Sequence, residues 1–124
     1  MNWAFCGSIA MAVAIILGAF GAHGLKKRLD NERLNWWQTG AQYHMIAALG
    51  LFAVASVRFM NQSNQEVQAG VDISGWLILL GIVFFSGSLY IMALTGIRKL
   101  GAITPIGGLL WIIGWIRLAM VTLT

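Results

Sequence analysis

Four long apolar stretches, separated by short polar connections, organise this chain. Residues 1–25 contain no Asp, Glu, Lys or Arg, and Thr104-Pro105 has the pattern of a helix start. Each stretch holds about 20 residues or more, enough to cross a hydrocarbon core of about 30 Å. The predicted spans are 3–23, 36–58, 74–97 and 104–124. The pattern predicts an all-α integral membrane protein, a four-helix bundle in a single domain, residues 1–124.

The connections carry the charge. In the first connection, Leu25, Leu29 and Trp36 recur at helical spacing among basic residues. This pattern fits either a short amphipathic segment in the headgroup region or an irregular solvated loop. The second connection follows Arg58 and is polar without being basic, whereas the third contains Arg98 and Lys99.

Basic residues also predict the orientation. The first and third connections, which share one side of the membrane, hold more Lys and Arg than the N-terminus and the second connection. Because cytoplasmic loops are enriched in Lys and Arg, both termini are expected to be periplasmic. The predicted location is the bacterial inner (plasma) membrane.

Composition supports lipid as the solvent. The chain is 59% hydrophobic and 10% charged, whereas soluble domains have about 25% charged residues. The formal charge of +4 comes from bases beside apolar stretches, so the expected partner is the lipid bilayer and no nucleic acid. The single cysteine, Cys6, excludes an intrachain disulfide and a multi-cysteine metal site.

Small residues predict where helices pack. In the first span they recur at every fourth position, and in the fourth span two glycines lie seven residues apart. Such residues allow close approach of helices in lipid. The first helix is therefore expected at the centre of the bundle. The predicted packing residues are Ala10, Ala14, Gly18, Ala22, Gly107 and Gly114.

A few polar side chains fall in or beside the spans. His23 and His44 are expected near the cytoplasmic end, with Tyr43 beside them, either as hydrogen-bonding groups or as proton or ligand carriers. Tyr90 of the third span is expected to hydrogen-bond between helices. Arg117 either extends to the outer interface or pairs with Asp72 or the terminal carboxylate.

Several short motifs occur in a characteristic order. They are Gly18–Leu25, Gly40–His44, Phe85–Tyr90, Leu94–Gly96, Thr104–Gly108 and Gly114-Trp115. In this order they resemble the YgdD-like family of small bacterial inner-membrane proteins, a family of unknown function. The resemblance spans nearly the whole chain and implies a four-span protein; it brings no known activity, cofactor or catalytic residue.

The sequence contains no nucleophile–base pair, phosphate-binding loop or metal cluster. No enzyme activity, cofactor or metal is therefore expected. The favoured function is a structural or accessory membrane protein that binds a second copy or another membrane protein. The alternative is an oligomeric transporter or channel for a small neutral or anionic solute, because the predicted spans lack the carboxylate that proton-coupled cation export needs.

Overall fold

The computed structural model describes residues 1–123, which are helical apart from their connections. The five α-helices are α1 (Trp3–His23), α2 (Asn31–Met60), α3 (Gln65–Gly81), α4 (Gly87–Thr95) and α5 (Thr104–Thr122). A π-helical segment, Ile82–Ser86, joins α3 to α4 in one continuous rod. Short 3₁₀ turns, Leu25–Lys27 and Arg98–Ala102, precede α2 and α5.

Four of these helical units are long and apolar enough to cross a membrane. They are α1 with its following turn, α2, the α3–π–α4 rod, and α5 with its preceding turn. The predicted all-α, four-span class is confirmed. The helices extend beyond two of the predicted spans, since α2 begins at Asn31 and α3 at Gln65. Where the membrane boundary crosses each helix stays a prediction.

Polar side chains mark where the helices begin. The side-chain oxygens of Asn2, Asp30 and Asn64 accept hydrogen bonds from backbone N–H groups in the first turns of α1, α2 and α3. These caps satisfy donors that a helix leaves without partners. The first connection is a 3₁₀ turn, Leu25–Lys27, that three non-helical residues separate from α2. Its Leu25 is buried beside Trp37 and Ala93, rather than lying free in the headgroup region.

Three tryptophans pack against glycines of neighbouring helices. The indoles of Trp37, Trp3 and Trp111 lie where a Cβ on Gly21, Gly75 or Gly81 would collide with them. Each indole N–H then donates to an oxygen on the same neighbouring helix: Trp37 to Leu17 O (2.7 Å), Trp3 to Asp72 Oδ1 (2.7 Å) and Trp111 to Ile78 O (3.0 Å). In each of these sockets, the glycine leaves room for the indole ring and an oxygen accepts its N–H. The two features together favour tryptophan at that position.

The contact face of α1 overlaps the predicted stripe only in part, since Ala14 is the one member of that stripe that is buried. Gly7, Ala14 and Gly21 are buried, and a Cβ on Gly7 would lie 3.1 Å from Ala48 O of α2. Ala10 and Gly18 are partly buried, Gly18 facing Met45, whereas Ala22 is exposed. Trp3 is also buried on α1. Gly7, Ala14 and Gly21 lie seven residues apart, close to two helical turns, so they share the face that packs against α2.

The middle of the bundle is formed by α2 and the α3–π–α4 rod, and α1 lies on a flank. Within the most apolar stretch of each helical unit, 44% of the residues are buried in the α3–π–α4 rod, compared with 22% in α1. On the other side, Gly107 and Gly114 of α5 are buried. A Cβ on Gly107 would strike the backbone of Phe85, and one on Gly114 would lie 3.1 Å from Ile78 Cγ1. These two glycines therefore allow α5 to approach the rod.

Candidate intramembrane polar sites

A histidine–tyrosine pair lies between α2 and α4. His44 is buried, and its Nδ1 lies 3.0 Å from the hydroxyl oxygen of Tyr90. The Tyr90 ring reaches His44 by passing over Gly40, where a Cβ would lie 3.2 Å from Tyr90 Cε1. Gly40 is thus the backbone position that allows the pair to form.

The π-helical segment supplies a second polar contact beside this pair. Ser86, its last residue, is buried and donates its hydroxyl to Gly40 O at 2.8 Å. A π turn holds one more residue than an α turn, so it shifts the register of the residues that follow. Ser86 and Tyr90, four residues apart, therefore both face α2.

The two histidines of the predicted spans differ in their surroundings. His23 is exposed at the end of α1, and the polar partner of His44 is Tyr90. Within residues 1–123, no three His, Cys, Asp or Glu side chains lie close enough together to hold a metal ion. An imidazole and a phenol in this arrangement provide a hydrogen bond between two helices in lipid.

A charged cluster ties three helices together at the opposite end of the bundle. Arg58 Nε lies 2.9 Å from Asp72 Oδ1, the same oxygen that accepts the Trp3 indole N–H. The Trp3 ring also meets Trp76 edge to face, with 5.5 Å between centroids. Asp72, one of the two partners considered for Arg117, is therefore engaged by Arg58.

Arg117 lies on α5 beside the N-terminal end of α3. Its Nε is buried and has no hydrogen-bond partner within residues 1–123. The terminal carboxylate, the other partner considered, belongs to Thr124 and lies outside the described residues. Arg117 borders a cavity of about 340 Å³, which Glu66 also lines.

An aromatic groove of about 650 Å³ opens between α2 and α5. Tyr43 lines it, with its ring 5.2 Å from that of Phe85 and 6.1 Å from that of Trp111. Trp115, on the opposite wall, lies over Gly50, where a Cβ would be 2.7 Å from its ring.

Two glutamines of α2 face away from every neighbouring helix. Gly40 meets α4 and Ala41 meets Gly18 of α1. Each residue turns about 100° around the axis, so the next residue, Gln42, points to the remaining side, as does Gln38 one turn earlier. Both are exposed, and neither makes a side-chain hydrogen bond within the part of the chain that the structure describes.

Small residues of α1 border these glutamines. α1 and α2 are antiparallel. In both helices, therefore, the residue that follows a contact position lies on the same side of the helix pair. Ala22 follows Gly21 just as Gln38 follows Trp37, and Ala19 follows Gly18 just as Gln42 follows Ala41. Ala19 and Ala22 are exposed. We call these four residues, Ala19, Ala22, Gln38 and Gln42, the open face.

The family model for a protein of unknown function, DUF423, matches residues 17–108. This range includes the histidine–tyrosine pair, the π-helical segment and the open face. The chain belongs to this DUF423 family. The resemblance in the sequence implied a small bacterial membrane protein family of unknown function. This coarser statement is confirmed.

Curated relatives agree with the DUF423 assignment over nearly the full length. The chain is 49% identical to the UPF0382 membrane protein YwdK of Bacillus subtilis, covering 92% of this chain and 89% of that protein. It is 46% identical to the UPF0382 membrane protein SH2409 of Staphylococcus haemolyticus, covering 94% and 90%. No solved structure matches the chain. The relatives are named as membrane proteins, which supports a membrane location for this DUF423 protein.

Sequence reasoning missed two features of the DUF423 chain. Arg58 and Asp72 bracket the polar loop that joins two predicted spans, and opposite charges at both ends of a short helical hairpin are a signal that pairing is possible. Gln38 and Gln42 recur at helical spacing within an apolar span. That pattern indicates a polar face, but sequence alone does not show that the face has no neighbour.

Proposed function

We propose that this DUF423 protein is a structural protein of the bacterial inner (plasma) membrane that assembles with a second copy of itself through the open face. The proposal places both termini on the periplasmic side and keeps the narrower likeness to YgdD-like proteins. The single observation that supports it most is the pair of exposed glutamines without partners.

Depth makes the exposure of these side chains costly. Gln42 lies six residues inside the predicted span 36–58, about 9 Å along the axis. An exposed carboxamide there faces lipid, which offers no hydrogen-bond partner. A protein neighbour supplying both donor and acceptor would satisfy it.

The chemistry of the face favours a second copy. A carboxamide has a donor and an acceptor, so two glutamines related by a twofold axis can satisfy each other. Ala19 and Ala22 beside them are small enough for another helix to approach closely. A self-complementary face of this kind needs no second gene product, whereas a face carrying one sign of charge would need an oppositely charged partner.

Replacing both glutamines tests the proposal. Gln38→Leu/Gln42→Leu is expected to shift the detergent-solubilised protein from dimer to monomer, with the dissociation constant raised about tenfold or more, because each interhelical hydrogen bond contributes about 0.6–2 kcal/mol. Mass measured by analytical ultracentrifugation or native mass spectrometry checks this. Gln62→Leu, in the exposed loop between α2 and α3, is the matched control and is expected to keep the dimer.

Cross-linking locates the interface. In a Cys6→Ala background, Ala22→Cys, which leaves both glutamines in place, is expected to form a disulfide-linked dimer in membranes under mild oxidation, whereas Ile113→Cys, exposed on α5, is not. A monomeric wild-type protein, or equal cross-linking at both positions, would contradict self-assembly through this face. Stable co-purification of a different membrane protein in place of a dimer would favour a heterologous partner.

A further inference from the structure

The cavity beside Arg117 combines charges of both signs. It measures about 340 Å³ and is lined by Asn64, Glu66, Val67, Arg117, Met120 and Val121. Within residues 1–123 the ion pairs are Arg58–Asp72 and Arg98–Glu32, so Arg117 and Glu66 border one cavity without pairing to each other.

Arg117 is the stronger of the two recognition groups. Its Nε is buried without a hydrogen-bond partner in the described part of the chain, and a buried donor left unpaired is costly. A guanidinium also binds a phosphate through two parallel hydrogen bonds, which a lysine cannot do. The Nε atom is enclosed by protein, so the accessible part of the side chain is what an occupant would meet. A guanidinium there fits an oxyanion.

The position along the helices indicates headgroup depth. Arg117 is five residues before the end of α5, about 7.5 Å along its axis. Glu66 is the second residue of α3, so both charges lie close to where their helices leave the apolar region. Apolar side chains, Val67 and Met120, line the same cavity and offer a surface for hydrocarbon.

We propose that this cavity binds the headgroup of an aminophospholipid of the phosphatidylethanolamine class. Its phosphate lies on the Arg117 guanidinium, and its ammonium donates to the Glu66 carboxylate. An acyl chain leaves along Val67 and Met120. The Glu66 carboxylate disfavours a purely anionic headgroup such as phosphatidylglycerol, and a choline headgroup has no N–H to donate to it.

The test measures lipid binding to the full-length protein in detergent. Native mass spectrometry and the thermal unfolding temperature are recorded with short-chain phosphatidylethanolamine, phosphatidylglycerol, phosphatidylcholine or inorganic phosphate added. Phosphatidylethanolamine is expected to bind most tightly and to raise the unfolding temperature. Arg117→Gln is expected to weaken its binding about tenfold or more, the scale of a lost hydrogen bond to a charged group. Lys99→Gln, an exposed cation at the opposite end of the bundle, is the matched control and should bind as the wild type does.

A second variant separates the two contacts. Glu66→Gln is expected to retain phospholipid but to lose the preference for phosphatidylethanolamine over phosphatidylglycerol. The proposal is overturned if Arg117→Gln binds lipid as the wild type does, or if the wild type shows no preference among the headgroups. It is also overturned if inorganic phosphate stabilises the protein as well as phosphatidylethanolamine, because the site would then be an ion site. Neither result depends on whether the protein dimerises through the open face.

Discussion

Single side chains at the helix interfaces differ in whether their polar atoms have partners. Tyr90 and Tyr43 are both tyrosines in the apolar part of the bundle. The Tyr90 hydroxyl is bonded to buried His44, whereas Tyr43 is exposed and its hydroxyl makes no hydrogen bond within the described residues. The two positions therefore allow the contribution of one interhelical hydrogen bond to be measured against a chemically identical control.

Removing the Tyr90 hydroxyl is expected to destabilise the bundle. Tyr90→Phe leaves the buried imidazole without its partner and should lower the free energy of unfolding by about 1 kcal/mol. Tyr43→Phe should change it by less than about 0.5 kcal/mol, the usual scale of a surface substitution. Unfolding followed by tryptophan fluorescence in mixed micelles measures both. Equal effects of the two variants would contradict the assigned role of the His44–Tyr90 pair.

At the scale of helices, the glycines that leave room for an indole ring determine which helix faces meet. Gly81 and Gly87 lie six residues apart on the same rod. A Cβ on Gly81 would collide with the Trp111 indole, whereas one on Gly87 would have no neighbour within 4 Å. Their sequence context does not distinguish the two, because both are glycines in one apolar stretch.

Alanine at these two glycines should have opposite effects. Gly81→Ala is expected to lower the free energy of unfolding by about 1–3 kcal/mol, since the ring of Trp111 must move and its bond to Ile78 O weakens. Gly87→Ala is expected to be neutral or to stabilise by up to about 1 kcal/mol, because alanine favours the helix. The same unfolding assay compares them. A Gly81→Ala protein as stable as Gly87→Ala would show that the socket does not depend on the missing side chain.

The hydropathy pattern predicts where the helices lie along the chain but not which helix faces pack against each other. Stretches without charge reveal spans directly, since lipid requires them. Small-residue spacing on α1 indicated a packing helix and included Ala14, which is buried, but it did not include Gly7 and Gly21, and α1 lies on a flank. Contacts such as Trp3 with Gly75 join residues far apart in sequence, and the π turn at Ile82–Ser86 has no distinctive residue pattern. These features arise only when helices meet.

At the scale of the whole molecule, charge is unevenly distributed between the two ends of the bundle. The end that holds Lys26, Lys27, Arg28 and Lys99 keeps these cations exposed. Arg33 at that end donates instead to Ala93 O and Leu94 O, which close α4. At the other end Arg58 is paired with Asp72. The exposed excess of positive charge is therefore on the side of the first and third connections.

This asymmetry predicts the topology. Alkaline phosphatase fused after Thr124 is expected to be active, and a fluorescent protein fused at the same place is expected to be dark, because the C-terminus should be periplasmic. Fusions within the third connection, after Lys99, should give the reverse pattern. Bright fluorescence with no phosphatase activity at the C-terminus would show that the orientation is inverted.

The bond between Trp3 and Asp72 has a consequence for biosynthesis. These residues are 69 positions apart, and a ribosome adds about 5–20 residues per second. Trp3 is therefore synthesised roughly 3–14 s before the carboxylate that accepts its hydrogen bond. During that interval α1 can pair with α2 but not with α3. The hydrogen bond that joins α1 to α3 can therefore form only after α3 has been synthesised.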